Sequence, residues 1–179
     1  MVVADARDAD VADMIAFLFG TGARIAEALH CVQWADVDLD NASVRIRGTK
    51  TAAADRTVAL SDELVERLRE RAALWGTAGL VFGTTRFESK LGQARDPRNV
   101  QRAIRRVLDD AECQWAGTHT FRRTVAAWMD EAGSPLAEIA NQLGHANINV
   151  TTGYLGRKVV PTRAAKVMTL APETPELKL

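Results

Sequence analysis

Apolar residues recur at helical spacing through residues 11–20, "VADMIAFLFG", and again through residues 24–32, "RIAEALHCV", with an interruption at Gly20, Thr21 and Gly22. This predicts two helices joined by a tight break, with Arg24 at the start of the second. The period then shortens to two. "ASVRIRG" (42–48) and "DRTVAL" (55–60) alternate polar and apolar positions as half-buried strands do, and the Gly-, Thr-, Ala- and Asp-rich residues between them predict a long hairpin connection near Lys50. "SDELVERLRERAALW" (61–75) opens with a serine cap and an acidic first turn, and "LVFGTT" (80–85) reads as a short apolar strand. Another helix is expected from Asp96 and Pro97, a proline in its favoured first-turn place.

The last third is punctuated by glycine and proline. Thr118 is expected to cap the helix "HTFRRTVAAWMDEA", which stops at Gly133; Ser134 and Pro135 open "PLAEIANQL", which stops at Gly144. A short helix carrying Tyr154 follows, then an amphipathic stretch, "PTRAAKVMTLA", and a tail, "PETPELKL". The pattern predicts a mainly α protein with a small antiparallel β-sheet (α+β). Residues 1–160 form one domain, and residues 161–179 a terminal helix and tail.

Composition narrows the class. The chain has 179 residues, 47% of them hydrophobic and 26% charged, enough for a real core. No run approaches the roughly 18 apolar residues of a membrane span, and the N-terminus lacks the basic and apolar regions of a signal peptide. A cytoplasmic location and no membrane contact are expected. Cys31 and Cys113 stand far apart, which suggests neither a zinc knuckle nor a disulfide framework, only two buried thiols. Trp115 and Trp128 read as core side chains.

Net charge is formally zero, yet residues 86–123 carry nine basic and five acidic residues, a net +4. Within them Arg98, Arg102, Arg105 and Arg106 fall on one helical face, either a solvated surface or a face that tracks phosphates. The single tyrosine, Tyr154, lies nine positions after His145.

Basic residues of this kind suit phosphodiester chemistry. Cleavage needs the developing negative charge on the phosphoryl oxygens neutralised, a nucleophile, and a proton for the leaving oxygen. Two guanidinium forks from different helices can supply the first without a metal. Arg24 and Arg122 are candidates, each expected in the first turn of its helix where the backbone dipole also favours an anion. The carboxylates that magnesium would require are not apparent in these segments, so neither metal nor cofactor is expected.

In these residues the chain resembles the tyrosine recombinases, or phage integrases. "TGARIAEAL", "WADVDLDNASVRIRGTKT" and "RTVALSDEL" look like the start of their catalytic domain, "HTFRRTVAAWM" and "IANQLGHANINVTTGYL" like its end. The resemblance covers roughly residues 10 to 156. It implies that Arg24 and Arg122 bind the non-bridging oxygens of a scissile phosphate and that Lys50 protonates the leaving 5′ oxygen. His119 would assist proton transfer at the tyrosine, and His145 would bond to the phosphate. Tyr154 would attack phosphorus to give a 3′-phosphotyrosyl link, which stores the energy of the cut bond, so that rejoining needs no ATP. The implied partner is double-stranded DNA, bound as a homotetramer, with a monomer expected in its absence.

Such recombinases usually precede this domain with a helical core-binding domain that closes the clamp on DNA. The chain begins almost at the catalytic domain, and weak, strongly salt-dependent DNA binding is expected of it alone. Lys90 competes with Lys50, and Arg123 with Arg122. Three other readings stay open: a non-catalytic helix-turn-helix regulator, since residues 134–155 resemble that motif, a type IB topoisomerase with related chemistry, and a degenerate prophage remnant that folds but no longer recombines.

Overall fold

The computed structural model of the protein describes residues 6–48, 55–85, 88–145 and 147–155. Within them lie helices α1 (Ala6–Thr21) and α2 (Ile25–His30), then strands β1 (Val37–Asp38), β2 (Ser43–Ile46) and β3 (Arg56–Ala59). Helices α3 (Asp62–Trp75), α4 (Pro97–Asp110), α5 (Thr118–Glu131), α6 (Leu136–Leu143) and α7 (Ile148–Tyr154) follow. The fold is the mainly α arrangement with a small antiparallel sheet that the periodicity predicts.

Val11, Met14, Phe17 and Leu18 are buried along one face of α1, which packs against α2, α3, α4 and α5. The helix runs on through Gly20 and Thr21. Thr21 turns its hydroxyl back to the Phe17 carbonyl at 2.7 Å, and of Gly20, Thr21 and Gly22 only Gly22, at φ +67°, leaves the helix. The sheet has β2 at its centre, antiparallel to both neighbours, with Val44 opposite Val58 and Ile46 opposite Arg56. Val44, Ile46 and Val58 enter the main core with Phe17, Leu29, Leu68, Phe82, Ile104 and Phe121. Each such side chain contributes about 1.5–3 kcal/mol on leaving water. A second, smaller core joins Val125 and Ala126 of α5 to Ile139 and Leu143 of α6.

Ser61 caps α3, accepting from the Leu64 amide, and Asp96 caps α4, accepting from the Arg98 amide. A buried ionic knot braces these helices against α1. Arg71 of α3 meets Asp10 at 2.6 Å and Asp13 at 3.4 Å, lies over the Phe82 ring and donates to the Val81 carbonyl. Arg95 closes on Asp10 from the other side. "LVFGTT" is no strand, because its backbone bonds are divided among several partners. The Val81 amide donates to the Val32 carbonyl, those of Leu80 and Thr84 to Gly92 and Gln93, and Arg71 takes the Val81 carbonyl, leaving Leu80 in an isolated bridge with Gln33.

Other expectations also change. Gly117, not Thr118, holds the N-cap position of α5, its amide donating to Thr120 Oγ1 at 3.0 Å. Trp115 and Trp128 are 78% and 56% exposed rather than core. The carbonyls of Cys113, Gln114 and Ala116 wrap inward around Arg105, so the turn presents Trp115 to solvent. Trp128 lies beside the buried face of α5 and stacks on Phe19. Cys31 is buried, but Cys113, in the same turn, is only half-buried. Among the α4 arginines, Arg98, Arg102 and Arg106 are exposed, whereas Arg105 is spent on that turn and on Asp109 at 2.9 Å.

Candidate active site

The break between α1 and α2 places the first arginine. Arg24 sits at the N-cap of α2 with extended backbone, so it precedes the helix rather than lying in its first turn. Glu27, one turn on, reaches back to it: Oε2 accepts from the Arg24 amide and Oε1 from Arg24 Nη1, both at 2.7 Å. The carboxylate is 6% exposed and the Arg24 side chain 39%.

A third residue completes this cluster. Arg56, on the inward face of β3, donates from Nη1 and Nη2 to the two Glu27 oxygens at 3.3 and 3.1 Å, and from Nε to the Gln142 carbonyl at 2.8 Å. Glu27 thus receives four donors, the full capacity of a carboxylate. Burial alone would push its carboxyl upward, but the bonds and charge of Arg56, then those of Arg24, outweigh it and hold Glu27 below the usual carboxylate value.

Arg122 comes from the opposite direction. It is the fifth residue of α5, beyond the first turn, and its guanidinium is buried, so the helix dipole does not assist it as expected. Nη1 donates to the Gly22 carbonyl at 2.6 Å, and Nη2 to the Leu143 carbonyl. The neighbouring Arg123 is exposed. Arg56 and Arg122 therefore grip consecutive carbonyls at the C-terminus of α6, Gln142 and Leu143.

Directly after that terminus comes His145. Gly144, in the left-handed conformation at φ +64°, turns the chain there. A Cβ on it would come within 2.8 Å of Arg56 Nη1. His145 is buried and its Nδ1 lies 2.8 Å from Thr151 Oγ1 of α7. Desolvation, then the positive charges of Arg122, Arg24 and Arg56, push its pKa down to about 4, against a weaker opposing pull from Glu27. The imidazole is neutral at pH 7.

Arg24, Arg122 and His145 are thus brought together, with Glu27 and Arg56 between them. His119 stands exposed in the first turn of α5, three positions before Arg122. Tyr154 is the last residue of α7, the helix that Thr151 ties to His145; its side chain, like Lys50, lies outside the described residues. Lys90 is in a short exposed helical turn over Glu88–Lys90. Sequence reasoning missed Glu27 and Arg56. The alternation of β3 carried a signal for Arg56, which falls in phase with buried Val58 and Leu60. No cluster of side chains able to hold a metal ion occurs among the described residues, and no helix among them is long and apolar enough to cross a membrane.

Comparison with known proteins supplies the kinship. Residues 3–158 match the phage integrase family. The chain belongs to that family. It is 25% identical over 183 residues to a tyrosine recombinase XerC-like protein of Caldanaerobacter subterraneus subsp. tengcongensis, covering 85% of this chain and 46% of that one. It is 34% identical over 134 residues to an integrase of Streptomyces ambofaciens, covering 66% of this chain and 33% of the relative. This integrase-family chain therefore spans half or less of the length of these curated relatives. Its fold is similar to that of XerH recombinase bound to its difH substrate, with a TM-score of 0.73 at 21% identity over 97% of this chain and 50% of that one. XerA recombinase gives a TM-score of 0.70 at 21% identity, over 93% and 61%.

Proposed function

We propose that this chain is the catalytic part of a site-specific DNA recombinase that cuts and rejoins double-stranded DNA through a 3′-phosphotyrosyl intermediate. The observation that carries the reading is the convergence of Arg24, Arg122 and His145 around the turn where α6 ends and the tyrosine-bearing α7 begins. Relatives described as recombinases and integrases, and a XerH structure described as bound to its DNA substrate, support it.

In this mechanism the Tyr154 oxygen attacks phosphorus and gives up its proton, the bond from phosphorus to the 5′ oxygen breaks, and Lys50 protonates that oxygen. A free 5′ hydroxyl attacking the phosphotyrosine reverses the step, so the bond energy is retained. Arg24, half-exposed at the cluster's edge, is assigned one non-bridging oxygen. Arg122 is assigned the other, since its carbonyl anchors orient the guanidinium without cancelling its charge. Neutral His145 donates a hydrogen bond to the phosphate from the ring nitrogen facing away from Thr151, and exposed His119 moves the tyrosine proton. The active assembly on DNA is a homotetramer, and the chain is a monomer without DNA.

A nicked suicide duplex bearing the recognition site tests the class. The unaltered chain forms a covalent protein–DNA adduct, and Tyr154→Phe forms none while still binding the duplex. A Tyr154→Phe variant that keeps every activity would favour the helix-turn-helix regulator. Relaxation of supercoiled plasmid without regard to sequence would favour the topoisomerase.

A further inference from the structure

The Glu27 carboxylate poses an electrostatic problem for an anion site. It holds Arg24 in place, one oxygen on the Nη1 and the other on the backbone amide, each at 2.7 Å. Alone, that ion pair would cancel the charge that Arg24 offers to a phosphate. Arg56 approaches the same two oxygens from the sheet with both terminal nitrogens, and its side chain, like that of Glu27, is 6% exposed. Such a pair is shielded from solvent, so its charges interact strongly and screening by salt is weak. Arg24, at 39% exposure, is the member of the trio that an incoming anion can reach.

We propose that Arg56 is a positioning residue that neutralises Glu27, so that the carboxylate orients Arg24 without cancelling its positive charge toward a phosphodiester oxygen. The assignment rests on the recombinase reading for the identity of that anion. Its structural basis is the cluster itself. Arg56 also reaches the Gln142 carbonyl, so the same side chain holds the sheet against the end of α6 that presents His145. The return strand of the lysine-bearing hairpin is thereby joined to the arginine cluster. A strand position that alternation would fill with an apolar residue holds a cation because the carboxylate beneath it needs one.

Two variants separate charge compensation from simple packing. Arg56→Gln leaves Glu27 with Arg24 as its remaining cation in the trio. Glu27→Gln/Arg56→Gln removes the buried pair together, and the amide oxygen at position 27 still accepts from Arg24. The probe is inorganic sulfate, followed through the NMR signal of the Arg24 side-chain N–H at pH 7. The single variant is expected to bind sulfate roughly tenfold more weakly than the unaltered chain, and the double variant to recover most of that loss. A double variant as weak as the single one overturns the proposal, because packing alone would make two losses at least as harmful as one.

The His145 ring gives a reading that needs neither anion nor DNA. Its titration midpoint should rise above about 4 in Arg56→Gln, which loses one cation and exposes the Glu27 charge, and return toward about 4 in the double variant. An unchanged midpoint in the single variant also overturns the proposal. Neither measurement depends on strand transfer. A chain that passes both yet forms no adduct on the suicide duplex would retain the charge arrangement and lose the recombinase reading.

Discussion

The guanidinium of Arg122 donates to the carbonyl of Gly22, one hundred positions earlier in the chain, at 2.6 Å. Its other terminal nitrogen donates to the Leu143 carbonyl. One buried side chain therefore joins the α1–α2 break to the end of α6. Lysine carries a single ammonium on a flexible stem and cannot span two carbonyls as a planar fork does. Arg122→Lys is expected to cost about 2–4 kcal/mol of stability through an unsatisfied carbonyl and a poorly paired buried cation, measured by urea denaturation at pH 7. A loss below roughly 0.5 kcal/mol, the usual range of surface substitutions, would remove the clamp.

Gly22 has both a conformational and a steric reason to be glycine. Its φ is +67°, and a Cβ there would come within 2.7 Å of Leu143 Cδ2 and 3.3 Å of Val125 Cγ1. Gly22→Ala is expected to lower stability by about 2–3 kcal/mol, combining left-handed strain with overpacking. Adding Leu143→Val, which shortens the clashing side chain, should restore part of that loss in thermal melts. A second substitution that restores nothing would show that the Leu143 contact contributes nothing, leaving the loss to the backbone conformation and the Val125 contact.

His145 makes stability depend on pH. The unfolded chain takes up the imidazole proton near 6.5, the folded chain near 4. The contribution of this group is complete above pH 6.5 and is lost as the pH falls toward 4, by about 3 kcal/mol in all. Glu27, whose carboxyl is held low, loses its own stabilising contribution in acid as well. Comparing the unaltered chain with His145→Gln isolates the histidine. Urea melts at pH 7, 5.5 and 4 should show a shallower decline for the variant, and parallel declines would contradict the assignment.

The knot at Arg71 is remote from this chemistry and serves stability. Its side chain is 1% exposed and meets Asp10, Asp13, the Val81 carbonyl and the Phe82 ring. Arg71→Met leaves Asp10 with Arg95 as its remaining ionic partner among the contacts described and orphans a buried carbonyl. A loss of about 3–5 kcal/mol is expected, while sulfate affinity at Arg24, measured on the folded chain, stays within twofold. A large fall in affinity at unchanged folding would connect the knot to the site.

Much of this was legible in local pattern. Helix starts at Ser61 and Asp96, the α6 stop at Gly144 and the alternation of β2 and β3 follow from forces acting within a few residues. The same range limited what could be read around Thr118 and "LVFGTT". A cap at Gly117 depends on which hydroxyl reaches which amide, and the backbone bonds of "LVFGTT" are divided among Val32, Gly92, Gln93 and the Arg71 side chain, partners that no local pattern specifies. The tryptophans were misplaced because composition makes them core-like, whereas the wrapping of carbonyls around Arg105 turns one outward.

By itself the sequence determined the order and kind of most elements, the family, and the basic and aromatic residues available for phosphate chemistry, because helical and strand periods and terminal signals are properties of neighbours along the chain. Tertiary structure decided which charges meet. Arg24, Glu27, Arg56, Arg122 and His145 lie up to 121 positions apart, and their pairing depends on how β3, α5 and the end of α6 pack around the α1–α2 break. Burial then sets the strength of each interaction, lowering the carboxyl of Glu27 and the imidazole of His145 in a way no count of charges along the chain contains.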